Sequence, residues 1–230
     1  MSVDTMNEMH AAKAERTKRV SLKSQAYETL KRRILNCELK PGAAVTVADL
    51  AVDLGMGRMP VLQAVERLTL DGLVEVMPRK GVVVSPVSLD DLVEINEVRL
   101  LNEVQAARWA AERATKTQIQ ALRTNLTRMK EALSARDVAD MIALDSEFHA
   151  LISEAAGNSI LAELLANLHD RSQRFWTLSL KVPGHNDLVC EQHAVIIDAI
   201  ATGDPDKAET AIRDHINAFQ SNIVDEVLRR

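Results

Sequence analysis

The sequence has little of several features that mark particular classes of protein. It contains only two cysteines, Cys37 and Cys190, which are far apart and outside any CxxC pair, so a disulfide framework or a thiolate zinc site is not expected. Aromatic residues make up 3% of the chain, which favours an aliphatic helical core. No stretch approaches the roughly 18 consecutive apolar residues of a membrane span, and the first residues lack the apolar core of a signal peptide. We therefore expect a cytoplasmic protein that has no membrane partner.

Charge is unevenly divided along the chain. Residues 1–86 hold 13 lysines and arginines against 10 acidic residues, whereas residues 87–230 hold 15 against 23. A mildly basic module joined to an acidic one is compatible with a nucleic-acid-binding domain on a body that avoids DNA. Chance variation of charge between two domains explains the same numbers. The choice between these two explanations therefore depends on the order of structural elements.

Hydrophobic periodicity divides the chain near residue 86. Residues 1–20 are polar and without periodicity, and we expect them to form a flexible tail. Helices are predicted from Ser21 to Leu35, from Thr46 to Leu54 and from Arg58 to Asp71, and two valine-rich runs around the turn at 78–81 predict a β-hairpin. Three helices followed by a hairpin within about 65 residues are typical of a winged helix-turn-helix, which we place at 21–86.

The remaining residues, 87–230, are helical throughout by the same criterion. Ser88 and Asp91 form a predicted capping box at the start of this region. Short loops between amphipathic helices indicate an antiparallel bundle. The predicted fold class is therefore mainly α, with a winged helix-turn-helix joined to a bundle of about six helices near 89–114, 116–134, 136–156, 158–180, 185–202 and 205–228.

The third helix and the hairpin carry the predicted DNA contacts. In a winged helix-turn-helix the third helix enters the major groove with its N-terminal residues nearest the base edges, and the wing lies beside the backbone. The alternative, solvated charges on an unrelated small domain, does not account for the specific order of elements. The predicted contacts to a double-stranded DNA operator are Arg58, Met59, Gln63, Arg67, Arg79 and Lys80.

Polar residues interrupt the apolar stripes of three bundle helices. One stripe carries Asp145 and His149 a turn apart, and two later stripes carry His193 and His215. Burying such groups unpaired is costly, so they must satisfy one another, bind water or bind a cation. Three imidazoles and a carboxylate suit a transition metal better than calcium or magnesium. We predict one divalent ion per subunit, zinc first, with nickel or manganese as alternatives.

The first bundle helix has a similar interruption, because its stripe carries Arg99 and Asn102 at positions that should be apolar. A buried guanidinium needs an anion. One explanation is a salt bridge to an interior carboxylate, and the preferred one is a small organic acid held bidentately by Arg99 beside the metal. Asn102 is placed in the same effector site, and Arg171, on the stripe of a later helix, is predicted to assist.

Short motifs run through the N-terminal module: Pro41-Gly42, Leu50-Ala51, Leu54-Gly55, Arg58-Met-Pro60-Val61, Ala64-Val65, Asp71-Gly72-Leu73-Val74 and Arg79-Lys-Gly81-Val82. They resemble the winged-helix signature of the GntR superfamily of bacterial transcription regulators, and the helical remainder is similar to the FCD ligand domain of its FadR-like subgroup. The resemblance implies metal ligands at Asp145, His149, His193 and His215, and a ligand-binding role for Arg99. It also fits the homodimer that we expect to bind a two-fold-symmetric operator.

The resemblance has one gap in the DNA-reading helix. The family typically writes the start of this helix as Ser-Arg-Thr-Pro-Val-Arg-Glu-Ala-Leu, and this chain has Gly-Arg-Met-Pro-Val-Leu-Gln-Ala-Val from Gly57 to Val65. Leu62 thus replaces an arginine that commonly contacts DNA in the family. We therefore expect an unusual affinity, an unusual operator sequence, or both.

Two other functions fit the buried polar residues. In a metal-sensing regulator the metal would itself be the signal, and DNA binding would respond to metal without an organic acid. A helical-bundle metalloenzyme would use the same Asp and His side chains for catalysis. The enzyme hypothesis leaves the winged helix without a purpose, so we expect no enzymatic activity.

Overall fold

The structure is a computed structural model that describes residues 21–179 and 185–228. Over these residues it contains nine α-helices and three β-strands. The described chain divides into two compact units, one formed by residues 21–32 and 44–83, the other by residues 33–43, 84–179 and 185–228. The predicted tail at 1–20 lies outside the described residues.

Three helices build the first unit: α1 (Leu22–Leu35, of which residues to 32 belong here), α2 (Val47–Asp53) and α3 (Arg58–Leu70). Helix α2 begins where the Thr46 side chain accepts a hydrogen bond from the Asp49 backbone N–H, which satisfies one of the free donors of the first turn. Helix α3 ends at Leu70 with Asp71 as its C-cap, and Gly72 follows with a positive φ of 73°. The apolar face of α3 is fully buried through Val61, Ala64, Val65 and Leu68.

A small sheet completes this region, with strands β1 (Ala44–Val45), β2 (Val74–Met77) and β3 (Gly81–Val84) in the order β1-β3-β2. Strand β1 pairs antiparallel with β3, and Val45 lies opposite Val82. Gly81 is required there, because its φ is 83° and a Cβ would lie 2.7 Å from the Val45 carbonyl oxygen. The predicted hairpin is present; β1 was not predicted, because two residues are too short to show an alternating pattern.

Six helices build the second unit. Ser88 and Asp91 form the predicted capping box at the start of the first of them, and Thr115 with Gln118 forms another at the start of the second. These boxes explain why both helices begin where they do. The helices are α4 (Leu89–Arg113), α5 (Lys116–Ala135), α6 (Val138–Ala155), α7 (Ser159–Ser179), α8 (His185–Ala201) and α9 (Pro205–Leu228).

Helix α4 is the central element of the bundle. It packs along α9 and also contacts α6, α7 and α8. Phe148, Ile196 and Ile212 are fully buried in one aliphatic-rich cluster, where each large side chain contributes about 1.5–3 kcal/mol of burial free energy. The mainly α fold class, a winged helix-turn-helix with a helical bundle, is confirmed. Among the described residues, no helix is long and apolar enough to cross a membrane.

Candidate functional site

The four predicted metal ligands lie together in the bundle. Helix α6 supplies Asp145 and His149 from adjacent turns, α8 supplies His193 and α9 supplies His215, and one ligand atom from each lies within 4.8 Å of all the others. The Nε2 atoms of His149 and His215 are 3.3 Å apart, and His193 Nε2 is 3.4 Å from Asp145 Oδ1. The three helices thus bring a carboxylate and three imidazoles to one point.

His193 has the most unusual surroundings of the four. Its side chain is 0% exposed, and neither ring nitrogen has a hydrogen-bond partner within the described part of the chain. The ring stacks on Phe148 with centroids 3.7 Å apart. Burial, and then the neighbouring His215 and His149, lower the pKa of His193 well below its usual value. The imidazole is therefore neutral at physiological pH, with its lone pair available for a cation.

The Asp145 carboxylate also lacks a hydrogen-bond partner at one of its oxygen atoms among the described residues. This atom, Oδ1, is buried. Burial raises the pKa of Asp145, while the nearby His149 and Arg99 oppose that rise. An unpaired carboxylate oxygen beside two unpaired imidazole nitrogens is costly in a protein interior unless a cation binds there. The donor set therefore fits a divalent transition metal.

A carboxylate that the sequence analysis missed lies behind this cluster. Glu103 on α4 is buried, with Oε2 lying 2.9 Å from His149 Nδ1 and Oε1 lying 2.9 Å from His169 Nε2. Burial alone would raise the pKa of Glu103, but Arg99, His169 and His149 hold it well below its usual range. The carboxylate is therefore ionised. A carboxylate at the second nitrogen is the usual way to orient a histidine that binds metal.

His215 has a comparable neighbour, because its Nδ1 lies 3.0 Å from the Gln192 side-chain oxygen. Glu103 and Gln192 thus contact the Nδ1 atoms of His149 and His215, and both Nε2 atoms face the cluster. Two of the three imidazoles are oriented in this way.

Arg99 does have an anion inside the protein. Its Nε donates to Glu103 Oε1 at 2.5 Å, and both side chains are less than 6% exposed. Of the two explanations that the sequence left open, the interior salt bridge is therefore present. Arg99 nevertheless lines a cavity of about 30 Å³ together with Asp145, His149, His169, Ser172, Trp176 and His215.

The other two predicted effector residues lie elsewhere. The Asn102 amide donates to the Val98 carbonyl oxygen of the preceding turn at 2.7 Å. From α7 the cavity receives His169, Ser172, Gln173 and Trp176. Arg171 does not contribute, and its charge instead helps burial to lower the pKa of Arg174. The expectation that Asn102 and Arg171 share a site with Arg99 therefore finds no geometric support.

Both missed residues had a signal in the sequence. Glu103 follows Arg99 by four residues, which places the two side chains on one face of α4, whereas the sequence analysis followed the spacing of three to Asn102. His169 lies on the stripe of Leu165, Ser172 and Trp176. A stripe traced in steps of three reaches different residues from one traced in steps of four. The burial of those residues in the structure shows which stripe faces the core.

The predicted DNA contacts lie on the surface of the first unit. Arg58, Met59 and Gln63 are exposed on α3, and Arg79 and Lys80 are exposed between β2 and β3, with Arg79 in a left-handed conformation of φ 67°. These side chains are free to meet a large partner.

Arg67 differs from the other predicted contacts. Its guanidinium lies 3.7 Å from the centre of the Tyr27 ring, and the Tyr27 hydroxyl donates to the Asp71 carboxylate at 2.7 Å. Arg67 thus already makes a cation–π contact with a residue of the first unit.

An exposed reading helix with a basic wing, joined in one chain to a bundle that holds buried polar residues, defines a DNA-binding transcription regulator. The FCD domain model matches residues 94–218, and the model of the gntR family of bacterial regulatory proteins matches residues 22–84. The chain therefore belongs to the gntR family and carries an FCD domain.

Several known proteins resemble the chain over most of its length. It is 26% identical over 199 residues to the HTH-type transcriptional repressor RspR of Escherichia coli (strain K12), covering 86% of this chain and 87% of that protein. It is 30% identical over 229 residues to the repressor NanR of Salmonella schwarzengrund, with coverages of 88% and 84%. The solved structure of E. coli McbR/YncC aligns at a TM-score of 0.82 and 24% identity, covering 90% and 99%. The prediction of a transcription regulator rather than an enzyme is confirmed.

Proposed function

We propose that this regulator acts as a cytoplasmic homodimer whose affinity for its operator is controlled by a small organic acid bound beside a divalent metal. The metal ligands in each subunit are Asp145, His149, His193 and His215. The observation that carries the metal site is His193, a fully buried imidazole with two unpaired nitrogens beside an unpaired carboxylate oxygen. FCD domains often bind metal, which agrees with this assignment.

Zinc is the first candidate for the ion, with nickel or manganese next, because all three accept nitrogen-rich ligand sets. When bound, the ion supplies positive charge and open coordination positions for oxygen atoms. Glu103 then holds His149 in the tautomer that presents Nε2 to the ligand cluster, and Gln192 does the same for His215.

The cavity beside the cluster favours an acid of few atoms. The centres of water-sized groups have about 30 Å³ in which to lie, which is room for a few such groups and not for a large ligand. Arg99 and three of the four candidate ligands, Asp145, His149 and His215, line the same space, so a carboxylate there would lie between a guanidinium and the ion. A larger acid would have to displace Trp176 or another lining side chain.

Arg99 provides the link from the cavity to the rest of the protein. An acid that binds the guanidinium competes with Glu103 for it, which alters an ion pair within α4. Helix α4 begins at Leu89, and only residues 85–88 separate it from strand β3. We propose that a change in the orientation of α4 is transmitted through this short connection to the wing.

The metal site is tested by His193→Ala, with His169→Gln as the matched control. His193 is fully buried and the His169 side chain is 10% exposed, but only His193 belongs to the proposed ligand set. Elemental analysis of metal-supplemented protein should give one ion per subunit for wild type and for His169→Gln, and none for His193→Ala. If purified wild type holds no metal, the four groups form a hydrogen-bonded network instead.

The role of Arg99 is tested with two variants at saturating metal. Glu103→Gln keeps the guanidinium and removes its partner's charge, whereas Arg99→Gln/Glu103→Gln removes both charges. Operator binding is measured by gel shift on the promoter beside the protein's own gene, over a panel of short mono-, di- and hydroxy-acids. The active acid should change affinity by about 5–150-fold in wild type. Glu103→Gln should keep this response and the double variant should lose it.

A metal-sensing regulator is the second candidate function, and the Arg99–Glu103 ion pair favours it. Because Arg99 already has a buried anion, the site is electrostatically complete without an organic acid. Titration of operator binding with metal alone separates the two functions. A full response to metal without acid, with no further change across the acid panel, supports the metal sensor.

The homodimer is proposed because one winged helix reads only a few base pairs. Dimeric helix-turn-helix proteins present two reading helices to matched half-sites. Sedimentation at micromolar concentration should therefore give a dimer that binds a two-fold-symmetric operator. A monomer in the presence of operator contradicts this assignment.

A further inference from the structure

Two apolar side chains lie on the exposed face of the reading helix near its start. Met59 is 63% exposed and Leu62 is 37% exposed, whereas Val61 between them is fully buried. Residues three apart on a helix are neighbours on its surface, so Met59 and Leu62 form one apolar patch. The first turn is also the part of such a helix that lies nearest the base edges in the major groove. The patch therefore occupies the position where sequence is read.

The polar side chains exposed near the patch are Arg58, Gln63 and Glu66. Arg67 is also exposed, with its guanidinium over the Tyr27 ring at 3.7 Å. Leucine offers no donor for the O6 and N7 acceptors of guanine, and methionine offers none either. Placing them over a G·C pair would leave base acceptors desolvated without a partner.

The largest apolar group on the major-groove edges of the bases is the 5-methyl group of thymine. Burying one methyl or methylene group is worth about fourfold in an equilibrium constant. Gln63 adds a group that pairs bidentately with adenine, the base opposite thymine. We propose that Met59 and Leu62 contact thymine methyl groups, and that each operator half-site carries A·T pairs beneath the first two turns of α3. This inference requires DNA binding but neither the metal nor the acid.

The experiment replaces thymine with deoxyuridine, which lacks only the methyl group. Duplexes enriched from a randomised pool by the full-length protein serve as probes, and each thymine is then replaced singly. We expect replacement at one or two positions in each half-site to weaken wild-type binding about fourfold. Leu62→Ala should lose the sensitivity at one of these positions.

Leu70→Ala is the matched control, since Leu70 is 88% exposed at the opposite end of the same helix. This control is also a leucine-to-alanine substitution, and the variant should keep the full sensitivity to deoxyuridine. A third variant, Leu62→Arg, should shift the enriched base at the affected position from thymine towards guanine.

Three outcomes overturn the inference. Enriched half-sites with G·C pairs at all the contacted positions exclude thymine as the target. Less than twofold loss at every deoxyuridine position means that the patch contacts the sugar-phosphate backbone or nothing. Equal deoxyuridine sensitivity in Leu62→Ala and wild type assigns the methyl contact to other side chains.

Discussion

The two units differ in how far their candidate functional side chains are exposed to solvent. In the DNA-reading unit Arg58, Arg79 and Lys80 are exposed to solvent, and a charge in water needs no protein partner. In the bundle, Arg99 and Glu103 are 4% and 3% exposed, and each ion has to be neutralised by another side chain. Burial therefore makes the bundle residues depend on one another, whereas the exposed residues act nearly independently.

This difference predicts which substitutions affect stability and which affect only binding. Removing one charged member of the bundle network leaves its partner as an uncompensated charge in the protein interior, which is destabilising. Removing an exposed side chain of α3 leaves its neighbours solvated as before. Substitutions in the bundle network should therefore lower the unfolding free energy more than substitutions of exposed side chains on α3.

The largest expected effect is that of Arg99→Ala on stability. The substitution leaves the ionised Glu103 without its strongest partner, and we expect the unfolding free energy of metal-free protein to fall by about 3–5 kcal/mol. Denaturant unfolding measures this loss. Arg99→Gln/Glu103→Gln removes both charges and should recover most of it. Equal losses in the single and double variants would mean that packing, rather than charge, is what Arg99 contributes.

The same contrast explains what could be predicted from the sequence. Asp145, His149, His193 and His215 were predicted as metal ligands because each interrupts an apolar stripe, and a polar residue is conspicuous in such a periodic pattern. No such signal exists for Arg58 or Lys80, since charged residues are expected on any exposed face. Their assignment came from the order of elements in the winged helix-turn-helix.

Other parts of the molecule were not predicted from the sequence, for physical reasons. Strand β1 forms only because Ala44 and Val45 meet β3 from a distant part of the chain, and this pairing is not encoded in their own pattern. Glu103 was missed because an i,i+4 ion pair on an apolar face resembles a solvated pair until burial is known. The engagement of Arg67 with Tyr27 joins two helices, and periodicity within one helix cannot reveal it.

Acid should destabilise the bundle through His169. Burial lowers the pKa of His169 from 6.5 to about 4, so between these values the unfolded chain binds a proton that the folded protein does not. Stability therefore falls as pH drops through this window, by on the order of 3 kcal/mol for this group. The lowered pKa of His193 acts in the same direction. Glu103 does not oppose this trend, because its contribution to stability is lost only as pH falls through and below the ordinary carboxylate range.

Unfolding of metal-free wild type and His169→Gln at several pH values measures this linkage. The variant should lose less stability than wild type between neutral pH and about pH 5, because it lacks one of the groups that the unfolded chain protonates. Parallel curves for the two proteins would show that the His169 imidazole is protonated as readily in the folded protein as in the unfolded chain.

In the exposed unit, Arg58→Ala should weaken operator binding by about 1–3 kcal/mol if Arg58 makes a bidentate contact to a base. Its unfolding free energy should stay within about 0.5 kcal/mol of wild type. The matched variant Arg79→Ala/Lys80→Ala should instead reduce the dependence of binding on salt, because we expect the wing to lie beside the DNA backbone. If Arg58→Ala binds operator as tightly as wild type while the wing variant binds much more weakly, the wing makes the principal DNA contact.

The smallest expected effect is at Arg67. This residue of the recognition helix is an exception to the contrast between the units, because its side chain contacts Tyr27 within the first unit. Because its guanidinium stacks on Tyr27, a cycle of Arg67→Ala and Tyr27→Leu should give a coupling of about 0.5–1 kcal/mol in unfolding free energy. The salt dependence of operator binding should be unchanged in Arg67→Ala, since the engaged guanidinium is not neutralising a phosphate. A decrease of about one in the salt slope, together with no coupling to Tyr27, would return Arg67 to the DNA contacts and make α3 an exposed reading surface along its whole length.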